Sequence, residues 1–161
     1  MSIRFEFIKH TSFLFLTLFI VLSACKKSDV NNETFKASGS GLLIKAGFEC
    51  GWGSGMDSLV ITQTSVKYVY YIPAQSFTPI INKTRAVSDT EWAEILNDLN
   101  IDDFVKLDYQ TCNVCVDGCD EWIYVQNDTV SHKITFGKGY MINTIGKLQN
   151  KLTEIRAEFN K

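Results

Sequence analysis

Cys112, Cys115 and Cys119 crowd one polar stretch, and Cys50 stands alone far upstream. Cysteines so placed can cross-link the chain, hold a metal as thiolates or exchange electrons as a dithiol. A redox dithiol needs its first cysteine at a helix N-terminus, where the dipole lowers the thiol pKa. Here Val116-Asp117-Gly118 and then a strand pattern follow. A zinc site made of four cysteines usually takes two close pairs, and a split of one plus three fits that poorly. Two disulfides are the expectation, with three pairings open. Because Cys50 is isolated, one bond must be long range. A Cys-x-x-Cys turn closes easily, which favours Cys112 with Cys115 and Cys50 with Cys119.

Other reactive side chains form no constellation. His132 is the only histidine outside the first 24 residues, and strand parity puts it beside Val130, Ile134 and Phe136, on a face expected to be buried. Ser54 and Ser58 have no base and orienting group spaced around them. Asp102, Asp103, Asp108, Asp117, Asp120 and Glu121 lack the alternating Asp-x-Asp-x-Asp-Gly spacing of a calcium loop. Gly51-Trp52-Gly53-Ser54-Gly55 has no following helix to make a phosphate cradle. No catalytic residue, metal ligand or cofactor is expected. The aromatics Trp52, Tyr68, Tyr70, Tyr71 and Tyr109 exceed what one core needs, and they form the candidate interaction surface.

The chain start explains why the thiols should be oxidised. Met1 to His10 is a short charged region, Phe13 to Leu22 is apolar, and Leu22-Ser23-Ala24-Cys25 follows. The apolar run is too short for a comfortable span and ends in small residues, as a signal peptide does. Leu-Ser-Ala-Cys resembles the lipobox of bacterial lipoproteins. That resemblance implies cleavage after Ala24, acylation of Cys25 by diacylglycerol and usually a further palmitoyl-type chain on its amine, and a membrane anchor. With Lys26 in place of aspartate, it also implies the outer membrane, facing either the periplasm or the exterior. Residues 25–39 are polar without apolar periodicity and read as a tether.

Removing residues 1–24, with Arg4, Lys9 and Glu6, leaves 14 basic and 17 acidic side chains of the chain's 16 and 18. This mildly acidic balance, without a basic stripe, argues against nucleic acid as a partner. Residues 40–161 are one ordinary domain.

Its elements read in order. Strands are expected from Leu42, over Leu59–Thr62 and over Val66–Ile72, where Val66, Tyr68, Tyr70 and Ile72 share one face. Ser88-Asp89-Thr90-Glu91 is a capping box ahead of Trp92, Ile95, Leu96 and Leu99, an amphipathic helix. Further strands are expected at 104–107, 122–125 and 130–136, with a hairpin at Asn127-Asp128. Ile145, Leu148, Leu152, Ile155 and Phe159 make a closing helix, with Lys147, Lys151 and Arg156 outside. The expected fold is α+β: an antiparallel sheet of about five strands with two amphipathic helices on one face, in the order strands, helix, strands, helix.

Cys112-Asn113-Val114-Cys115-Val116-Asp117-Gly118-Cys119-Asp120-Glu121-Trp122-Ile123 resembles a family of small uncharacterised bacterial envelope lipoproteins with the pattern Cys-x-x-Cys-x-Asp-Gly-x-x-Glu-Trp-Ile. Gly47-Phe48-Glu49-Cys50 matches part of a second element of that family, and Cys119 is additional. Asp57-Ser58-Leu59 and Asp128-Thr129-Val130 are similar to sites at which some bacteria O-glycosylate exported proteins. The resemblance brings no activity. The functional expectation is a lipid-anchored, non-enzymatic envelope domain that binds a protein or glycan, with a redox or metal-binding role of the 112–121 loop as the alternative.

Overall fold

A computed structural model describes residues 41–160. The expected signal peptide, the expected lipidation site Cys25 and the expected tether lie outside the described residues. Six antiparallel strands form one sheet: β1 (Leu43–Cys50), β2 (Met56–Ile61), β3 (Ser65–Tyr71), β4 (Ile81–Ala86), β5 (Cys119–Gln126) and β6 (Ser131–Gly137), in the spatial order β4-β3-β2-β1-β5-β6. Three α-helices accompany it: α1 (Asp89–Asp98), α2 (Ile101–Phe104) and α3 (Gly146–Phe159). The α+β class holds, with one strand and one short helix more than expected.

Strand alternation builds the core. Ile44 and Ala46 of β1, Leu59 and Ile61 of β2, Val66 and Tyr68 of β3, Ile123 and Val125 of β5, and Ile134 and Phe136 of β6 share one face through the pairing register. All are buried in one cluster with Trp92 and Ile95 of α1, Phe104 of α2, and Leu148, Leu152, Ile155 and Phe159 of α3. Residues of the opposite parity, such as Lys45, Val60, Val69, Trp122 and Tyr124, are only half-buried.

Two expectations need correction. Residues 104–107 are no strand: Asn100 caps α2 by accepting from Asp103 N at 3.3 Å, and Phe104 ends that helix fully buried. A side-chain cap and two carboxylates in the first turn, Asp102 and Asp103, outweigh the extended pattern. Conversely, Ile81-Asn82-Lys83-Thr84-Arg85-Ala86 has no apolar alternation yet forms β4. Of its inward-facing side chains, Ile81, Lys83 and Arg85, the two cations are satisfied by partners from distant elements. Lys83 Nζ donates to Phe159 O at 2.7 Å, and Arg85 makes two 2.7 Å bonds to the Glu91 carboxylate and a 2.7 Å contact with Glu158. Glu91 also fills its capping-box place, with its N–H donating to Ser88 Oγ at 3.1 Å. Arg85 holds the Glu91 carboxyl below its usual range, mainly through these hydrogen bonds.

Both edges of the sheet are managed. Beside β6, Tyr109 O accepts from Thr135 N at 2.8 Å and Thr111 N donates to Thr135 O at 3.0 Å, so residues 107–111 close that edge. At β4 the edge strand carries charged side chains. Gly47, in the middle of β1, sits where bulk is excluded: a Cβ there would collide with Asp57 O and come within 2.8 Å of the Trp122 ring. Gly47→Ala should therefore lower stability by roughly 1–3 kcal/mol, read as a shift in the denaturant midpoint. An unchanged midpoint would show that β2 and Trp122 can withdraw freely.

Candidate functional site

The cysteine loop is built around one buried carboxylate. Asp120, 2% exposed, accepts from Thr111 Oγ1 at 2.7 Å, Asn113 Nδ2 at 2.8 Å and Val114 N at 3.1 Å. Burial alone would raise its pKa, but the hydrogen bonds prevail and hold it below the usual carboxylate range. The Asp120 oxygens are thus committed to fastening the loop. Cys112 is bonded to Cys115 across the 3₁₀ turn Asn113–Val116, and Cys50 is bonded to Cys119, its direct cross-strand neighbour. With all four sulfurs in disulfides, none of them is a thiolate ligand. Among the described residues, no three His, Cys, Asp or Glu side chains converge as a metal site requires. His132 Nε2 lies 2.8 Å from Leu107 O, and its ring stands edge-on to Phe104, 5.6 Å between centroids. It is a hydrogen-bonded side chain that fastens the covered edge.

A second charged group was missed by the sequence reading. Arg156, expected outside α3, turns inward: its Nε lies 2.9 Å from Asp57 Oδ2, and its Nη1 is 3.8 Å from Glu121 Oε1. Asp57 Oδ1 accepts from Phe48 N at 3.0 Å. Burial is the main influence on Asp57 and raises its pKa above the ordinary value, although Arg156 opposes this. A buried acid with a raised pKa is the kind of group catalysis uses. However, the Asp57 carboxylate is fully enclosed and faces its own cation, and the adjoining cleft between α3 and β5 is about 10 Å³, room for one water. The pair acts as a clamp between helix and sheet.

The aromatic candidates separate. Tyr68 is corrected: it is 2% exposed, stacks on Phe159 at 5.1 Å between centroids and donates to Asn160 Oδ1 at 3.1 Å, so it belongs to the core. The pKa of its hydroxyl is pushed up to about 12, by burial first and by Asp57 second. Tyr70 lies on the same inward face, half-buried against the core. Tyr109 is half-buried and tilted against Tyr140, 6.2 Å between centroids. Trp52 is 82% exposed and adopts a left-handed φ of 56° between two glycines. Tyr71 faces the side of the sheet away from the helices.

That outer face is where side chains gather. Register places Thr84, Lys67, Val60, Lys45, Tyr124 and Lys133 in one row across all six strands. The next row runs Asn82, Val69, Ser58, Gly47, Trp122 and Thr135. Lys45 Nζ is 5.5 Å from the centre of the Tyr124 ring, and Lys133 Nζ is 5.2 Å from that of Trp122. Trp122 and Tyr124 were not among the expected surface aromatics, although their alternation with Ile123 and Val125 signalled an outward face. Of the two glycosylation-like motifs, Ser58 sits within central β2, whereas Thr129 lies in the exposed hairpin turn, its N–H donating to Asn127 Oδ1 at 3.0 Å.

The fold and this face define a small α+β domain with a sheet open on one side. No protein-family model matches the chain, and no curated protein matches it.

Proposed function

We propose that the protein is a lipid-anchored component of the cell envelope, tethered at the outer membrane through Cys25, whose domain binds an envelope partner without catalysis of its own. The lipobox-like Leu22-Ser23-Ala24-Cys25 and the polar stretch 26–39 support the anchor and tether. One observation carries the binding reading: the helices bury one face of the sheet, while the other presents aromatic rings and lysines in register. A half-exposed aromatic surface of this kind favours recognition.

Two measurements test it. Cys25→Ser should move the protein from the membrane to the soluble fraction, and membrane association that persists would defeat the anchor. Capture from solubilised envelopes with the tagged protein should recover a component that Tyr71→Ala and Tyr124→Ala weaken. A capture profile indifferent to both changes would remove the outer face from the account.

A further inference from the structure

We propose that the outer face of the sheet takes an acidic polysaccharide lying across the strands, one that carries a carboxylate on every second sugar. This inference rests on the binding reading above and names its ligand. Lys67, Lys45 and Lys133 occupy β3, β1 and β6 in a single register row, each two strands from the next. Strands lie about 4.8 Å apart, so the cations recur roughly every 10 Å at right angles to the strands. Neither this row nor the Trp122 row contains a carboxylate, and among the described residues none of the three lysines is in an ion pair. Asp120, the nearest acid along β5, is turned into the cysteine loop. Glu49 is an exposed carboxylate in the row beyond that of Trp122, so three lysines face one exposed acid, and the face is cationic on a chain whose net charge is −2.

The adjoining row supplies what a sugar chain uses. Trp122 leans over Gly47, in the space a Cβ would fill, and remains partly exposed, with Lys133 Nζ 5.2 Å from its ring centre. Its neighbours in the row, Ser58 and Thr135, offer hydroxyls. An aromatic ring stacks on the apolar C–H face of a sugar while hydroxyls meet its polar edge, and the parallel lysines would meet carboxylates spaced along the polymer. An acidic peptide fits less well. Peptides dock on sheets by pairing with an edge, whereas this row lies across the middle of the face, where backbone groups are already paired. Nucleic acid fits less well, because its phosphates recur roughly every 3.4 Å along a strand, far closer than the roughly 10 Å between these lysines.

The test uses the full-length protein in detergent. Binding is measured at low salt to hyaluronan, which carries one carboxylate per two sugars, and to neutral dextran, polyglutamate and oligothymidylate. Hyaluronan should bind best, and dextran should not bind. Lys45→Ala, Lys67→Ala and Lys133→Ala should each weaken hyaluronan binding about two- to fivefold, in line with an exposed charge contact. Trp122→Ala should weaken it about tenfold, by analogy with stacking on nucleobases. Replacing the three lysines with arginine should retain binding, and replacing them with glutamate should abolish it. Lys67 and Lys133 are exposed and Lys45 is half-buried on the outer face, so the lysine substitutions keep the test independent of any unfolding of the Trp122 variant. Polyglutamate or oligothymidylate binding as tightly as hyaluronan would overturn the ligand class. Absence of hyaluronan binding would overturn it too, and envelope capture still sensitive to Tyr71→Ala and Tyr124→Ala would then leave the binding reading standing. Loss of both would remove the two together.

Discussion

Arg156→Ala should destabilise the domain by about 3 kcal/mol, a large share of what a domain of this size possesses. The substitution strands the Asp57 carboxylate, fully enclosed and with its nearest cation 2.9 Å away in the native protein. An unpaired buried charge costs far more than the pair contributes. Its pH dependence gives the prediction a signature. Asp57 titrates above its ordinary value of 3.8 in the folded state, with burial the main cause. The folded chain therefore binds that proton more tightly than the unfolded one, and the Asp57 contribution to stability falls as pH rises from about 3.8 through the folded value. Without Arg156 the folded value climbs further, so the deficit should be large at pH 7 and shrink on acidification. Denaturant titrations of wild type and variant across this range measure it. A deficit independent of pH would mean that lost packing against Phe48, whose ring centre is 5.9 Å from the guanidinium carbon, is the real cause. Asp57→Asn combined with Arg156→Met should recover part of the loss, because no buried charge then remains.

Removing the long-range disulfide should cost more still. Cys50 and Cys119 are separated by 69 positions, so their bond restricts a long loop of the unfolded chain; by the loop-entropy relation, Cys50→Ser with Cys119→Ser should cost about 4 kcal/mol. The Cys112–Cys115 bond spans a separation of only 3. The same relation predicts less than about 2 kcal/mol for its removal, and the Asp120 hydrogen bonds remain to hold the turn. Thermal midpoints of the two double variants should thus separate clearly, the Cys50/Cys119 variant melting first. Equal losses would show that strand pairing between β1 and β5 already constrains the unfolded ensemble. Reduction of the wild type should reproduce the larger loss.

What could be read early follows from which interactions are local. Capping at Ser88, the 3.6 period from Trp92 and from Ile145, and the alternation in β2, β3 and β5 each reflect a few neighbouring residues choosing one backbone geometry. Pattern fails where a partner from elsewhere makes the decision. β4 has a strand's pairing without a strand's composition, because Glu91, Glu158 and Phe159 satisfy its inward cations. Arg156 sits on the polar arc of α3 by periodicity, yet Asp57 draws it inward. Tyr68 and Tyr71 are equally aromatic and three residues apart, and strand parity buries one and leaves the other on the outer face.

The binding surface divides in the same way. The lysines and aromatics are plain in the chain, and so is the outward parity of Trp122 and Tyr124. Their alignment is invisible there, because Lys67, Lys45 and Lys133 come from three strands, and only the pairing register puts them in one row. Sequence alone determined the α+β class, the capped helix, the period of each major element and the lipobox-like start, since these depend on residues adjacent in the chain. Sequence favoured the cysteine pairing that the structure has, Cys50 with Cys119 and Cys112 with Cys115, but tertiary structure alone decided which charges are buried and which side of the sheet stays open. These depend on distances between residues far apart in the chain, which folding sets through packing and pairing.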